Sequence, residues 1–180
     1  ISNSYVIKFL QLENHFADFK IFQPLELYNL DNLPHQVTTF HYDKRTSLLF
    51  LGLSEYKGDG AINNIIKLFQ NQPQKTSILQ IYNIIKNNYG EQHFELLYET
   101  TVKDEICYIN YFSSNSVLSV GTNTGNISLY KIYINETSDI TKELAEQMCV
   151  IKTNKKRIIG IAINFVKGYV YSFAKDHNII

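Results

Sequence analysis

The densest group of charged side chains in this sequence is basic: Lys152, Lys155, Lys156 and Arg157 fall within six positions. A cluster of this kind suits phosphate, whether on a lipid headgroup or an acidic partner, and it equally suits a solvated loop or an import signal. The five histidines (His15, His35, His41, His93 and His177) are scattered, and none has a second His or Cys at ligand spacing, so no metal is expected. His41 and Asp43 alternate along one run into a turn, which reads as a surface pair. Gly58-Asp59-Gly60 reads as a hairpin turn rather than a phosphate cradle. No Walker loop, dinucleotide-binding glycine pattern, nucleophile elbow or paired-histidine zinc motif is present. No catalytic residue, cofactor or metal ligand is assigned, and enzyme activity is not expected. Cys107 and Cys149 each sit in an apolar, strand-like run, where a free thiol is expected to act as a small buried hydrophobe in a reducing, cytoplasmic setting.

Bulk composition narrows the class. Of 180 residues, 44% are hydrophobic and 19% charged, which suits a folded globular domain. Seventeen basic residues balance seventeen acidic ones. Zero net charge argues against a non-specific nucleic-acid binder, which needs a basic excess to displace counterions, and no nucleic-acid partner is expected. No apolar run approaches the roughly 18–20 residues needed to cross a bilayer. The first residues lack a signal-peptide pattern and an initiator methionine, so the chain is expected to belong to a longer protein or complex. Abundant Ile, Asn, Tyr and Lys with no Trp point to AT-rich coding, a bias that erases Trp and Gly signatures.

The elements that would position these groups are strands, and they repeat. Residues 37–52 (VTTFHYDKRTSLLFLG), 106–121 (ICYINYFSSNSVLSVG) and 159–174 (IGIAINFVKGYVYSFA) align without a gap. Each opens on a β-branched residue, with Phe40, Ile109 or Ala162 as the core-type residue three positions on. Polar turn residues follow, and each ends on Gly52, Gly121 or Ala174. Two short apolar runs split by a polar turn predict a β-hairpin. A third strand is expected at 62–69 (INNIIKLF) and 126–132 (NISLYKI). Another strand precedes each hairpin, because Tyr28, Leu97 and Val150 lie nine positions before the three starts. Four strands per repeat predict an all-β fold, a partial β-propeller of four-stranded antiparallel blades.

The segment Ser119-Val120-Gly121-Thr122-Asn123-Thr124-Gly125-Asn126-Ile127-Ser128-Leu129-Tyr130 resembles the second-to-third strand segment of WD40 repeats, with Tyr130 and, in the first copy, Phe69 where tryptophan usually stands. Ser172-Phe173-Ala174-Lys175-Asp176 resembles the same segment, with Asp176 at the family's turn aspartate. No Gly-His dipeptide precedes a hairpin and no Trp-Asp pair is present, so the family's Asp-His-Ser/Thr-Trp hydrogen-bond network is not expected. Residues 157–176 are faintly similar to WD-repeat proteins that carry a FYVE module, although no FYVE cysteines occur. Arg157-Ile158-Ile159-Gly160 has one arginine, not the pair of phosphoinositide-binding propellers.

The repeats are spaced more widely than the about 40–45 residues of ordinary WD40 units, and long inter-strand insertions are expected after the third strands. In the first, Ile78, Ile81, Ile84 and Ile85 have spacings compatible with a helical face within 77–89, or an extra outer strand. In the second, Thr137-Ser138-Asp139 would cap a short helix through Glu146. The expected units are 1–22 (the end of a preceding blade, with a strand at 5–12), 23–92, 93–146 and a truncated 147–180. The function implied is a non-catalytic scaffold that binds other proteins through loop residues Tyr56, Lys57, Asn123, Lys175 and His177. The alternative is a membrane-recruited trafficking adaptor that meets anionic lipid through Lys155, Lys156 and Arg157.

Overall fold

The computed structural model describes residues 6–7, 25–26, 35–55, 76–86, 92–134, 144–153 and 156–175. Among these, every regular element is a strand. Two compact units divide at His35. In the unit Ile1–His35, β1 (Val6–Ile7) pairs antiparallel with β2 (Leu25–Glu26).

The unit Gln36–Ile180 holds three sheets. The first runs β3 (His35–Asp43), β4 (Leu48–Glu55), β5 (Thr76–Lys86), β6 (Gln92–Lys103) in that order across the sheet. The second runs β7 (Ile106–Phe112), β8 (Val117–Thr122), β9 (Asn126–Ile132), β10 (Ala145–Lys152). The third is the hairpin β11 (Ile158–Asn164) and β12 (Tyr169–Ala174). Two four-stranded antiparallel meanders and a hairpin follow one another along the chain. β6 and β10 hydrogen-bond back to β5 and β9, so as paired units the first two sheets end at Lys103 and Lys152 rather than at 92 and 146.

The isoleucine-rich run at 77–89 contains a strand, not a helix. Ser77, Leu79 and Ile81 alternate onto one buried face, while Ile85 is exposed. β-branched side chains favour this pleated, half-buried setting, and the three- and four-residue spacing of the isoleucines is incidental. β5 occupies the third place in its sheet, so the long connection is residues 56–75, before the third strand rather than after it. The segment 62–69 and Phe69 lie outside the described residues. In the second sheet the long connection does follow the third strand; Thr137, Ser138 and Asp139 are outside the described residues. The strand expected around Val150 forms but begins at Ala145, so Ala145 and Glu146 are strand where the end of a helix was expected.

Each expected hairpin forms, closed by a four-residue turn at 44–47, 113–116 and 165–168. The gapless alignment is one residue out in the third copy. Ile106 pairs with Thr122 and Ile158 with Ala174, while Tyr108 pairs with Gly121 and Gly160 with Phe173. Ile158 therefore matches Ile106, and Phe173, not Ala174, matches Gly121. A one-residue slip exchanges the two faces of a strand: Ile161 is buried and Ala162 is exposed. Phe40, expected in the core, is 53% exposed.

The sheets pack face to face. Leu48, Phe50, Leu79, Ile81 and Val102 of the first meet Ile106, Ile109, Tyr111, Leu118 and Tyr130 of the second. Ile127 and Leu129 of the second meet Ile158, Ile161 and Ala174 of the third. Sandwiched on both faces, β8 is buried at every position. The closest approach explains the small residues that end two of the hairpins. A Cβ added to Gly52 would lie 2.8 Å from Ile106 Cγ2, and one added to Gly121 would lie 2.7 Å from Ile158 Cγ2. Each glycine is a seat for the first inward side chain of the next sheet.

Candidate functional site

The connection from each fourth strand to the next sheet and the turn from second to third strand emerge at the same end, forming a rim. Asp104 and Glu105 join β6 to β7, and Asn123, Thr124 and Gly125 join β8 to β9. Glu105 N donates to Asn123 Oδ1 at 3.3 Å, and Asn123 N donates to Glu105 O at 2.9 Å. Asp104 Oδ2 accepts from Thr124 Oγ1 at 2.8 Å and from Asn126 Nδ2 at 3.2 Å. Asn126 N donates to Thr122 Oγ1 at 3.1 Å, which pins the turn from inside. Gly125 O accepts Thr153 N at 3.2 Å and Thr153 Oγ1 at 2.8 Å, so the connection leaving β10 is fastened to the same turn. Asp104 holds a left-handed backbone (φ 74°), which Asp tolerates better than most residues.

The third sheet repeats this framework with opposite charge. Lys175 N donates to Arg157 O at 2.9 Å, the counterpart of the Asn123–Glu105 bond. By the same register Lys156 and Arg157 stand where Asp104 and Glu105 stand one sheet earlier. Lys156, Arg157 and Lys175 are all exposed. The rim thus passes from an acidic pair to a basic trio over one sheet-to-sheet step. Of the residues the sequence nominated, Asn123, Lys156, Arg157 and Lys175 meet on this rim. Tyr56, Lys57, Lys155 and His177 lie outside the described residues. Asp104, Thr124, Asn126 and Thr153 were not nominated; the polar break Asp104-Glu105 between two apolar runs was their only sequence signal.

Elsewhere, burial perturbs several titratable groups. Burial pushes the Cys107 thiol up to about 11, against a smaller opposing effect of Arg157, so it stays protonated at neutral pH. Its Sγ lies 3.1 Å from Ile158 O and 3.4 Å from Gly121 O as a donor. Cys149, expected to be buried, is exposed on the outermost strand β10. His41 is not a simple surface partner of Asp43. Burial lowers its pKa, its ring lies 6.2 Å from that of Phe50, and Asp43 Oδ2 instead accepts from Thr46 N and Oγ1 at 3.0 and 2.6 Å. Tyr130 is buried in the core, and burial pushes its hydroxyl up to about 12. Among the described residues, no three His, Cys, Asp or Glu side chains gather as metal ligands, and no helix is long and apolar enough to cross a membrane. The rim offers hydrogen bonds and fixed charge. No protein-family model matches the chain, and no curated protein matches it either.

Proposed function

We propose that the chain is part of a WD40-like β-propeller that acts as a non-catalytic scaffold in the cytoplasm, holding other proteins against the rim of its sheets. Successive antiparallel meanders, stacked with one glycine seat per step, support the propeller reading. So does the tie between Asp104 and the Thr124–Asn126 turn. WD40 repeats join these same two places, the approach to the hairpin and the second-to-third strand turn, through His and Asp. Here an aspartate stands before the hairpin and the hydroxyl and amide stand in the turn, so the tie runs with its donors and acceptors exchanged.

The observation that carries the scaffold reading is the rim itself. Identical backbone bonds hold Glu105 and Asn123 in one sheet and Arg157 and Lys175 in the next, so opposite charges are presented on a rigid frame. Charge arranged in this way selects partners and steers their approach. The test is affinity capture with the wild-type chain and with K156E/R157E/K175E, all exposed and outside the core. A reproducible set of proteins held by the wild type and lost from the variant is expected. An identical set from both would show that the basic trio is not where partners bind.

A further inference from the structure

The ends of the sheets opposite the rim carry the three hairpin turns. Ile84 N donates to Ser47 O and Ile132 N to Ser116 O, both at 2.9 Å, so the first and second turns are each hydrogen-bonded to the third strand of their sheet. The edge-on contact of Phe112 with Phe165, with ring centres 5.4 Å apart, sets the third turn beside the second. At equivalent places the first turn reads Lys44-Arg45-Thr46-Ser47, the second Ser113-Ser114-Asn115-Ser116 and the third Phe165-Val166-Lys167-Gly168. Two of these are polar, as surface turns ordinarily are. The third puts Val166 where Arg45 and Ser114 stand and leaves it 96% exposed. Phe165 and Tyr169 beside it are 38% and 56% exposed. A missing neighbour sheet does not account for Val166, because Arg45 and Ser114 are exposed at the equivalent tips of the first two sheets. Tyr169, in contrast, stands where Leu48 and Val117 are buried and owes its exposure to the uncovered face of the third sheet.

The surroundings of this apolar tip are basic. Lys167 is within it, Lys44 and Arg45 are exposed on the first turn, and Lys131 Nζ is held at this end by Asn115 O at 2.9 Å. The nearby acids Asp43 and Glu146 accept hydrogen bonds from Thr46 and from the Tyr133 hydroxyl, the latter at 2.7 Å, and keep their charge beside these four cations. Glu95 stands apart on the outermost strand β6. Apolar and aromatic side chains protruding among Lys and Arg match the layering of an anionic bilayer surface, with hydrocarbon below and phosphate above.

We infer that the hairpin-turn end docks on anionic lipid membranes, with Val166 inserted among the headgroups, Phe165 at the interface and Lys44, Arg45 and Lys167 on lipid phosphate. This contact is at the opposite end from the Lys156–Arg157 rim and does not depend on the scaffold reading. The rim is left facing away from the bilayer.

The whole chain contains no tryptophan, so V166W supplies a single reporter. Phosphatidylcholine vesicles with added phosphatidylserine are expected to shift its emission to the blue, and vesicles of phosphatidylcholine alone to shift it little. T76W, exposed at the rim end, is expected not to shift. In co-sedimentation, V166D and K44E/R45E are each expected to weaken binding to anionic vesicles by about tenfold. Because Val166 is almost wholly exposed, V166D leaves the fold intact, and an unchanged circular dichroism spectrum verifies this. Three results would overturn the inference: no blue shift at position 166, an equal shift at position 76, or wild-type binding by V166D. A shift that follows protein concentration without vesicles would instead make the tip a contact between copies and would also overturn it.

Discussion

Ser172 faces the second sheet from β12 and buries its hydroxyl with no hydrogen-bond partner among the described residues. Leaving a buried hydroxyl unpaired costs about 1–3 kcal/mol. Ser172→Ala is therefore expected to hold or raise stability, by about 1 kcal/mol at most, in urea denaturation. Cys107 gives a pH prediction. Its folded pKa is raised above the ordinary thiol value, chiefly by burial, so the folded state keeps its proton while the unfolded state releases it. That contribution is intact below the ordinary thiol range and is lost as pH rises toward about 11. C107A should lose stability less steeply than wild type across that window, and parallel slopes would remove Cys107 as the cause. A thiol reagent should modify exposed Cys149 long before Cys107. The sequence could not rank the two cysteines, since both have β-strand neighbours. What separates them is place in the sheet: first strand between two layers, or outermost strand with a free side.

The hairpin is the element the sequence revealed best. All three formed because β-branched and aromatic runs flank polar or glycine-containing turns. The last residue of each turn is left-handed: Ser47 at φ 56°, Ser116 at 53° and Gly168 at 70°. Only one of the three is glycine, so two sites carry strain. Ser47→Gly and Ser116→Gly are expected to stabilise by about 0.5–1 kcal/mol, and Gly168→Ala to destabilise by about 1 kcal/mol, read from thermal unfolding. Third strands were less legible. β9 was found because Asn123-Thr124-Gly125 announces it, whereas β5 was hidden behind the long 56–75 connection and an isoleucine spacing that mimics a helix. Face assignment failed at Ala162 because the third copy was aligned from Ile159 instead of Ile158, a one-residue slip that exchanges the faces of the strand. The β-bulge between Ile158 and Gly160 recurs between Ile106 and Tyr108 and does not cause it.

Among the described residues, the cores of the second unit join the first sheet to the second and the second to the third, so damage at one junction should stay local. Ile158→Ala empties the seat at Gly121 and is expected to cost about 2–5 kcal/mol. Hydrogen exchange should rise first in β11 and β12 and leave β4 and β5 protected. Uniform loss of protection would mean that the sheets unfold as one. The rim was partly readable at this scale. Asn123 and Lys175 were found as turn residues, while the acidic-to-basic change from Asp104-Glu105 to Lys156-Arg157 becomes visible only after the two sheets are put in register. Sequence alone also placed Lys156 and Arg157 on the same surface as any other exposed cation. The fold separates them, by the length of a strand, from Lys44, Arg45 and Lys167.

The glycine seats give the stack a direction. Each step joins unlike partners, a bare backbone on the earlier sheet and a branched side chain on the later one, so the junction is not interchangeable. Moving the chain ends while keeping the cyclic order of sheets would preserve every junction. Turning the second sheet over would set Gly121 against Gly52 and Ile106 against Ile158, leaving a void on one side and a clash on the other. On the third sheet the seat position carries Phe173, whose side chain lies over Gly160, so a sheet packed on that face would meet an aromatic ring where the earlier steps meet a bare backbone.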